Sequence, residues 1–206
     1  MLKSVIFIAV ACGSMLVGSA NAAENLCVNG SFSNTSEPLD GWTYDYRFLG
    51  NKHYMDNYTK VIAMAKGGGR SSVVMIKGEK DGSGSGVKME CKPIPYEHGY
   101  RYTCKMQVKD FKGRIYFCGY KWKPGIRPHT NPVLGELRTL YKSKAYTKGK
   151  KGWQTVELTI PGVKASPLSI KHMKPLRLIT LYIWAQSDMY VDDVVITRVK
   201  DSKMGI

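Results

Sequence analysis

The stretch Tyr100-Arg101-Tyr102-Thr103-Cys104-Lys105-Met106-Gln107-Val108-Lys109 alternates without a break. Successive side chains of an extended chain point to opposite sides, so Tyr100, Tyr102, Cys104, Met106 and Val108 share one face. Arg101, Thr103, Lys105, Gln107 and Lys109 share the other. The segment reads as a strand with one face in a core and one in water. Ser72–Lys77, Gly86–Cys91, Ile115–Trp122, Trp153–Ile160, Arg177–Ala185 and Met189–Val199 read as further strands. Gly-rich turns separate such runs at Lys66-Gly67-Gly68-Gly69, Asp81 to Gly86, Lys112-Gly113 and Lys148 to Gly152. No apolar i, i+3, i+4, i+7 pattern persists over a helix-length window. Many short strands, turn residues between them and no helical stretch predict an all-β fold, an antiparallel sandwich.

Asp110-Phe111-Lys112-Gly113 predicts a tight turn joining the strand over 100–109 to the one over 115–122. Pairing Asp110 with Gly113 sets Val108 opposite Ile115 and Met106 opposite Phe117. Tyr116, Cys118, Tyr120 and Trp122 then occupy the other face beside Lys105 and Arg101, and Cys104 and Cys118 point to opposite sides. A one-residue slip would invert every side chain. The chosen register keeps Ile115 and Phe117 dry.

The first residues read as a signal peptide over 1–22. Lys3 supplies the positive start, Val5 to Val17 is apolar but short for a membrane span, and Ala20-Asn21-Ala22 offers a cleavage site after Ala22. Cys12 is not at a lipoprotein position, because the apolar run continues past it and Ala9 precedes it by three. Residues 23–206 are then expected to form one domain, with no later apolar segment of spanning length. The protein is expected to be secreted, periplasmic or on the cell surface. In such a compartment Cys27, Cys91, Cys104 and Cys118 suggest two disulfides, with the connectivity open. No Cys/His set has metal or haem spacing.

The chain carries 31 Lys and Arg against 16 Asp and Glu, a formal net charge of +15. The excess gathers in Lys121–Arg127, in Lys142-Ser143-Lys144 through Lys150-Lys151, and in Lys171–Arg177. Such a field favours polyanions.

Several short motifs occur in a telling order. The mature chain opens Asn25-Leu26-Cys27-Val28-Asn29-Gly30-Ser31-Phe32 and reaches Gly41-Trp42. A strand ends near Pro95, followed by His98-Gly99-Tyr100-Arg101-Tyr102-Thr103. The chain closes with Met189-Tyr190-Val191-Asp192-Asp193-Val194-Val195-Ile196. This order resembles the CenC-like carbohydrate-binding modules of the galactose-binding-like β-sandwich class over about Asn25 to Val199. The resemblance implies a jelly-roll sandwich that binds carbohydrate without chemistry. Asn29-Gly30 suits a turn ending a first strand, since both tolerate positive φ. Phe32 and Trp42 read as core. Asp192-Asp193 interrupts the closing strand and places at least one carboxylate near the apolar side, where it needs a partner. In the family a carboxylate of this pair helps bind structural calcium together with an acidic residue after the opening Phe. Here that residue is Ser33, which removes a charged oxygen ligand. The expectation is therefore no required cofactor, with Asp193 and Asp192 the metal candidates if calcium binds at all.

Thirteen Tyr and four Trp against five Phe is a bias toward aromatic rings with a polar handle, which suits a wet, sugar-stacking site. Tyr116, Tyr120 and Trp122 are the first carbohydrate-binding candidates, and Tyr182 and Trp184 follow. An enzyme would need an acid and a base facing one cleft. Glu90, Glu97, Asp188, Asp192 and Asp193 are scattered or adjacent, and His53, His98, His129 and His172 sit in no nucleophile or metal motif. Asp81-Gly82-Ser83-Gly84-Ser85-Gly86 lacks the closing Glu of a calcium loop, that place being Lys92. No catalytic residues are expected. The expected partner is a polysaccharide or glycoconjugate, acidic if the basic clusters serve binding, with no nucleic acid. The alternatives are a surface adhesion or scaffold sandwich without sugar and a small glycan-active enzyme.

Overall fold

The computed structural model describes residues 24–44, 62–67, 70–76, 87–110, 112–122, 136–146 and 152–204. The leader, His53, the Asp81–Gly86 loop, Lys123–Arg127, His129 and Thr147–Lys151 lie outside the described residues. Two antiparallel sheets face each other. Sheet A runs in the order β1 (Trp42–Tyr44), β4 (Val87–Cys91), β10 (Leu178–Ala185), β7 (Gly113–Trp122), β8 (Glu136–Tyr146), with β5 (Ile94–Pro95) also paired to β10. Sheet B runs β2 (Ile62–Gly67), β3 (Arg70–Ile76), β11 (Met189–Lys200), β6 (Tyr100–Lys109), β9 (Trp153–Ile160). The chain passes from one sheet to the other between β1 and β2, β3 and β4, β5 and β6, β6 and β7, and at each step from β8 to β11. This is an antiparallel jelly-roll β-sandwich, with the all-β class read from the sequence.

Alternation decides which faces meet. In β6, Tyr102, Cys104, Met106 and Val108 are at most 1% exposed, and they look across at Ile115, Phe117, Ile179, Leu181 and Ile183 of sheet A. Phe32 and Trp42 pack on the same core with their ring centroids 5.3 Å apart, as expected. Burial at this density is the main stabilising term of the fold, each large apolar side chain contributing about 1.5–3 kcal/mol.

The tight β6–β7 hairpin is not formed. β6 pairs with β11 and β9, whereas β7 pairs with β10 and β8. Asp110, at φ 57°, turns the chain across the sandwich instead of back along its own sheet. The dry face of each strand agrees with the sequence reading, but a shared dry face suits facing sheets as well as one hairpin. Consequently Tyr116, Cys118 and Tyr120 do not lie beside Lys105 and Arg101; those residues belong to the outer face of sheet B. Gly113 starts β7 hard against its neighbour, since a Cβ there would stand 1.9 Å from the Trp184 carbonyl oxygen.

Three further strands carry no clear sequence signal. Trp42–Tyr44 is too short for a periodic pattern. Ile62–Gly67 has no polar alternation, and Glu136–Tyr146 is a basic edge strand. A helix, α1 (Pro167–Met173), spans only seven residues, below the window that periodicity needs. Ser166 caps it by accepting the Ser169 amide at 3.2 Å, and Pro167 occupies its first turn. No strand forms over Asn25–Asn29. That segment instead runs beside β11, where Leu26 N donates to the Ile196 carbonyl at 2.8 Å.

The Asp192-Asp193 interruption is a β-bulge. Asp192 stands opposite Gln107 and Val195 opposite Lys105, so two residues of β11 face one of β6. Asp193 adopts φ 48°. The opening motif holds this bulge. Asn25 accepts the Ile196 amide at 2.8 Å and donates to the Val194 carbonyl at 3.1 Å, while the Val194 amide reaches Gly30 O at 2.8 Å. Gly30 has no room for a side chain, because a Cβ would sit 1.9 Å from Val194 O. Asn29 supplies the positive φ expected of it, 48°.

Candidate functional site

β10 is the centre of sheet A, and its alternation sorts two environments. Ile179, Leu181, Ile183 and Ala185 enter the core, so Leu178, Thr180, Tyr182 and Trp184 take the outer face. The register sets their neighbours. Tyr182 stands between Glu90 of β4 and Tyr116 of β7; Trp184 stands between Lys88 and Arg114; Thr180 is opposite Cys118, and Leu178 opposite Tyr120. Four of the five aromatic candidates, Tyr116, Tyr120, Tyr182 and Trp184, therefore share one face. Trp122 ends β7 opposite Glu136, and its side chain lies outside the described residues.

The geometry of this face is specific. Tyr116 and Tyr182 stack with centroids 5.2 Å apart and planes 2° from parallel. The Tyr120 and Tyr182 hydroxyls are 2.9 Å apart. Burial, then the charge of Glu90 and the neighbouring Tyr120, push the Tyr182 hydroxyl far up, so it stays protonated and serves as a donor. Glu90 is 1% exposed and lies against that hydroxyl.

Tyr120, Tyr182 and Cys118 form a small second cluster on the outside of sheet A, apart from the main core. This corrects the expectation that Tyr120 and Tyr182 themselves present ring faces. At 7% and 1% exposure they form the floor, clustered with Cys118 under the partly buried Leu178 and Tyr116, whose ring stacks on Tyr182. Tyr116 and Trp184 are half-buried and present surface. Arg114 lies over the Trp184 ring, 5.1 Å from its centroid, and adds a cation at the rim. In the sequence Glu90 is one of several scattered carboxylates. The alternation of Met89-Glu90-Cys91, apolar on either side of the carboxylate, is the signal that could have placed it on the outer face.

The outer face of sheet B contrasts with this one. Lys105 pairs with Glu157 at 3.4 Å, Gln107 donates to Thr155 at 2.9 Å, and Arg198 bonds Glu97 at 3.0 Å while lying over Tyr100. Polar cross-strand pairs satisfy that surface internally.

At the β11 bulge Arg70 answers the need for a partner. One guanidinium nitrogen reaches Asp192 Oδ2 and Asp193 Oδ2, both at 2.5 Å, and the group lies 4.6 Å from the Trp153 ring centroid. Calcium takes six to eight oxygens. A guanidinium between the two carboxylates is at odds with a cation there, and among the described residues no three His, Cys, Asp or Glu gather to hold one. The donor set does not fit calcium.

Of the cysteines, Cys27, Cys91 and Cys104 are buried in the main core and Cys118 in the tyrosine cluster, all four as thiols. Among the described residues no helix is long and apolar enough to cross a membrane.

No family model matches the chain, and no curated protein matches it. Solved structures do. The chain is similar to the CBM22-1–GH10 modules of Clostridium thermocellum endo-1,4-β-D-xylanase 10B, complexed with xylohexaose, at 17% identity and TM-score 0.46. That match covers 86% of this chain and only 28% of the other. It is similar to TmCBM61, complexed with β-1,4-galactotriose, at 13% identity and TM-score 0.41, covering 86% and 100% of the two chains. A CBM4 structure aligns at 16% identity and TM-score 0.41, covering 83% and 98%.

Proposed function

We propose that this chain is a non-catalytic carbohydrate-binding protein whose ligand lies across the outer face of sheet A. One observation carries the reading: the parallel Tyr116–Tyr182 stack, continuous with Tyr120 and Trp184 and flanked by the buried Glu90. Sugar rings present C–H faces to aromatic rings and hydroxyls to polar groups at the rim; half-buried Tyr116 and Trp184 offer the first and the Arg114 guanidinium the second. Hydrolysis of a glycosidic bond uses two carboxylates about 5–9.5 Å apart. Among side chains described on this face, Glu90 is the one carboxylate, which supports binding over catalysis.

The finer reading is that the protein is exported, with residues 1–22 removed and 23–206 acting as one galactose-binding-like module, and that it prefers acidic glycans. The Arg114–Trp184 pair, Lys88 in register beside it and the net charge of +15 support the last point. Calorimetric titration of the purified protein with xylohexaose, β-1,4-galactotriose and oligogalacturonate tests the reading. Saturable binding that Tyr116→Ala abolishes supports it. Binding to none of a broad glycan array would favour the sugar-free scaffold, and release of reducing ends from any bound glycan would favour the enzyme.

A further inference from the structure

Cys27, Cys91 and Cys104 converge where the N-terminal segment closes the gap between the sheets. On one side, Val28 packs on Gly41, where an added Cβ would meet the Val28 Cβ at 2.6 Å, and Gly41 O accepts the Lys92 amide at 2.7 Å, one residue past Cys91. On the other, Leu26 N bonds the Ile196 carbonyl, and Ile196 stands opposite Cys104 in the β11–β6 register. Cys27 lies between these attachments at 4% exposure. Its thiol interacts most strongly with that of Cys91, and more weakly with that of Cys104. All three side chains belong to one apolar core. Cys118 does not. It sits on the outer face of sheet A with Tyr120 and Tyr182, so the sheet itself stands between it and the other three sulfurs.

We propose that the chain, given a disulfide donor, forms a single disulfide, Cys27–Cys91, and not two. The bond ties the segment that holds the β11 bulge to β4 of the opposite sheet. The exchange balances: the two thiols give up two protons and two electrons, the donor disulfide is reduced to two thiols, and one S–S bond forms as one breaks. Cys27 can hold one partner, which leaves Cys104 a thiol in the core and Cys118 a thiol under the tyrosines.

The chemistry also sets the timing. The attacking species is the thiolate, and exchange requires access to the donor. In the folded chain both conditions fail. Contact with Cys91 and burial push the Cys27 thiol far above its ordinary range, and burial does the same to Cys104. The disulfide therefore forms before the N-terminal segment seats, and the folded reduced protein resists oxidation.

The full chain carrying Cys12→Ser, which removes the leader cysteine, is refolded from denaturant into a mixture of reduced and oxidised glutathione. It is then unfolded, alkylated and cut at Lys and Arg, which leaves Cys27, Cys91, Cys104 and Cys118 on four different peptides. The expected result is the Cys27 peptide linked to Met89–Arg101, with Cys104 and Cys118 alkylated. Cys104→Ala should keep that link. Adding oxidised glutathione to the folded reduced chain should form it at least about tenfold more slowly than during refolding. Alkylation of all four cysteines after refolding, a Cys27–Cys104 link, or any link through Cys118 overturns the proposal.

Discussion

Arg70→Gln should destabilise the sandwich by an amount the bulge geometry fixes. Removing one partner of a buried ion pair costs about 3–5 kcal/mol, because the other charge is left without compensation. Here the pair is only partly buried. Asp192 is 8% exposed, but Arg70 is 31% and Asp193 52% exposed, so water screens much of the Asp193 half. Loss of the Trp153 stack adds about 0.5–1 kcal/mol. A net cost of about 1–3 kcal/mol follows, which for a domain of this size is a drop in melting temperature of roughly 3–10 °C. Thermal melts read it directly. Adding Asp192→Asn to the variant should recover part of the loss, since the uncompensated buried charge is then gone. The same reasoning bears on calcium. The parent protein should melt alike in excess calcium and in chelator. A variant melting within about one degree of the parent would refute the role given to Arg70. So would a rise of more than about ten degrees when calcium is added to the parent, because tight binding to the folded state adds several kcal/mol.

Tyr116→Ala should weaken glycan binding at least tenfold in calorimetry, about 1.4 kcal/mol, while costing little stability because the ring is half-buried; an unchanged affinity would move the site elsewhere. Tyr182→Ala, at 1% exposure, should instead cost about 3–5 kcal/mol in denaturant melts, and a melt like the parent's would show that the tyrosine cluster is not packed. The Arg101 guanidinium and the Lys203 amide hold the Asp201 carboxyl below its ordinary value of 3.8, so the contribution is present above about pH 4 and is lost as pH falls through the lowered value. Asp201→Asn should flatten the acid limb of a pH series of melts, and an unchanged acid limb would contradict this. If the ligand is acidic, binding of oligogalacturonate should fall steeply with salt, since exposed charges are screened over about 8 Å at physiological ionic strength; a flat salt dependence removes the acidic preference.

Much of the fold is legible because it is written in alternation. Trp153–Ile160 and the strand over 100–109 have the bounds their alternation predicts, and Ile115 and Phe117 lie in the core, where both are fully buried. Partner choice is not legible. The dry faces of β6 and β7 match each other as two layers of one core just as they would across a hairpin, and only competition from β9, β10 and β11 decides. Length explains other misses, since α1 and β1 fall below any periodic window. Charge explains β8, where basic residues hide an edge strand. The candidate face is half legible. Alternation along β7 and β10 gathers Tyr116, Tyr120, Tyr182 and Trp184, but the cross-strand register that adds Glu90 depends on long-range pairing that no local pattern carries.

That register also explains why the tyrosines are stacked against a carboxylate and not dispersed over the sheet. A carboxylate at 1% exposure is costly unless polar groups compensate it. The Tyr182 hydroxyl, kept protonated by burial and by the neighbouring Glu90, lies against it, and contact with the Tyr120 hydroxyl at 2.9 Å fixes its position. Phe at 182 would keep the ring stack with Tyr116 but remove the buried hydroxyl contact with Tyr120, at a cost of about 0.5–1.5 kcal/mol. The phenol thus does two things at once: its ring supports the surface that Tyr116 presents, and its hydroxyl ties that support to Tyr120. On the carbohydrate-binding reading, the surface left for a ligand is then the half-buried Tyr116 ring, held from below by Tyr182, with the Arg114–Trp184 pair beside it.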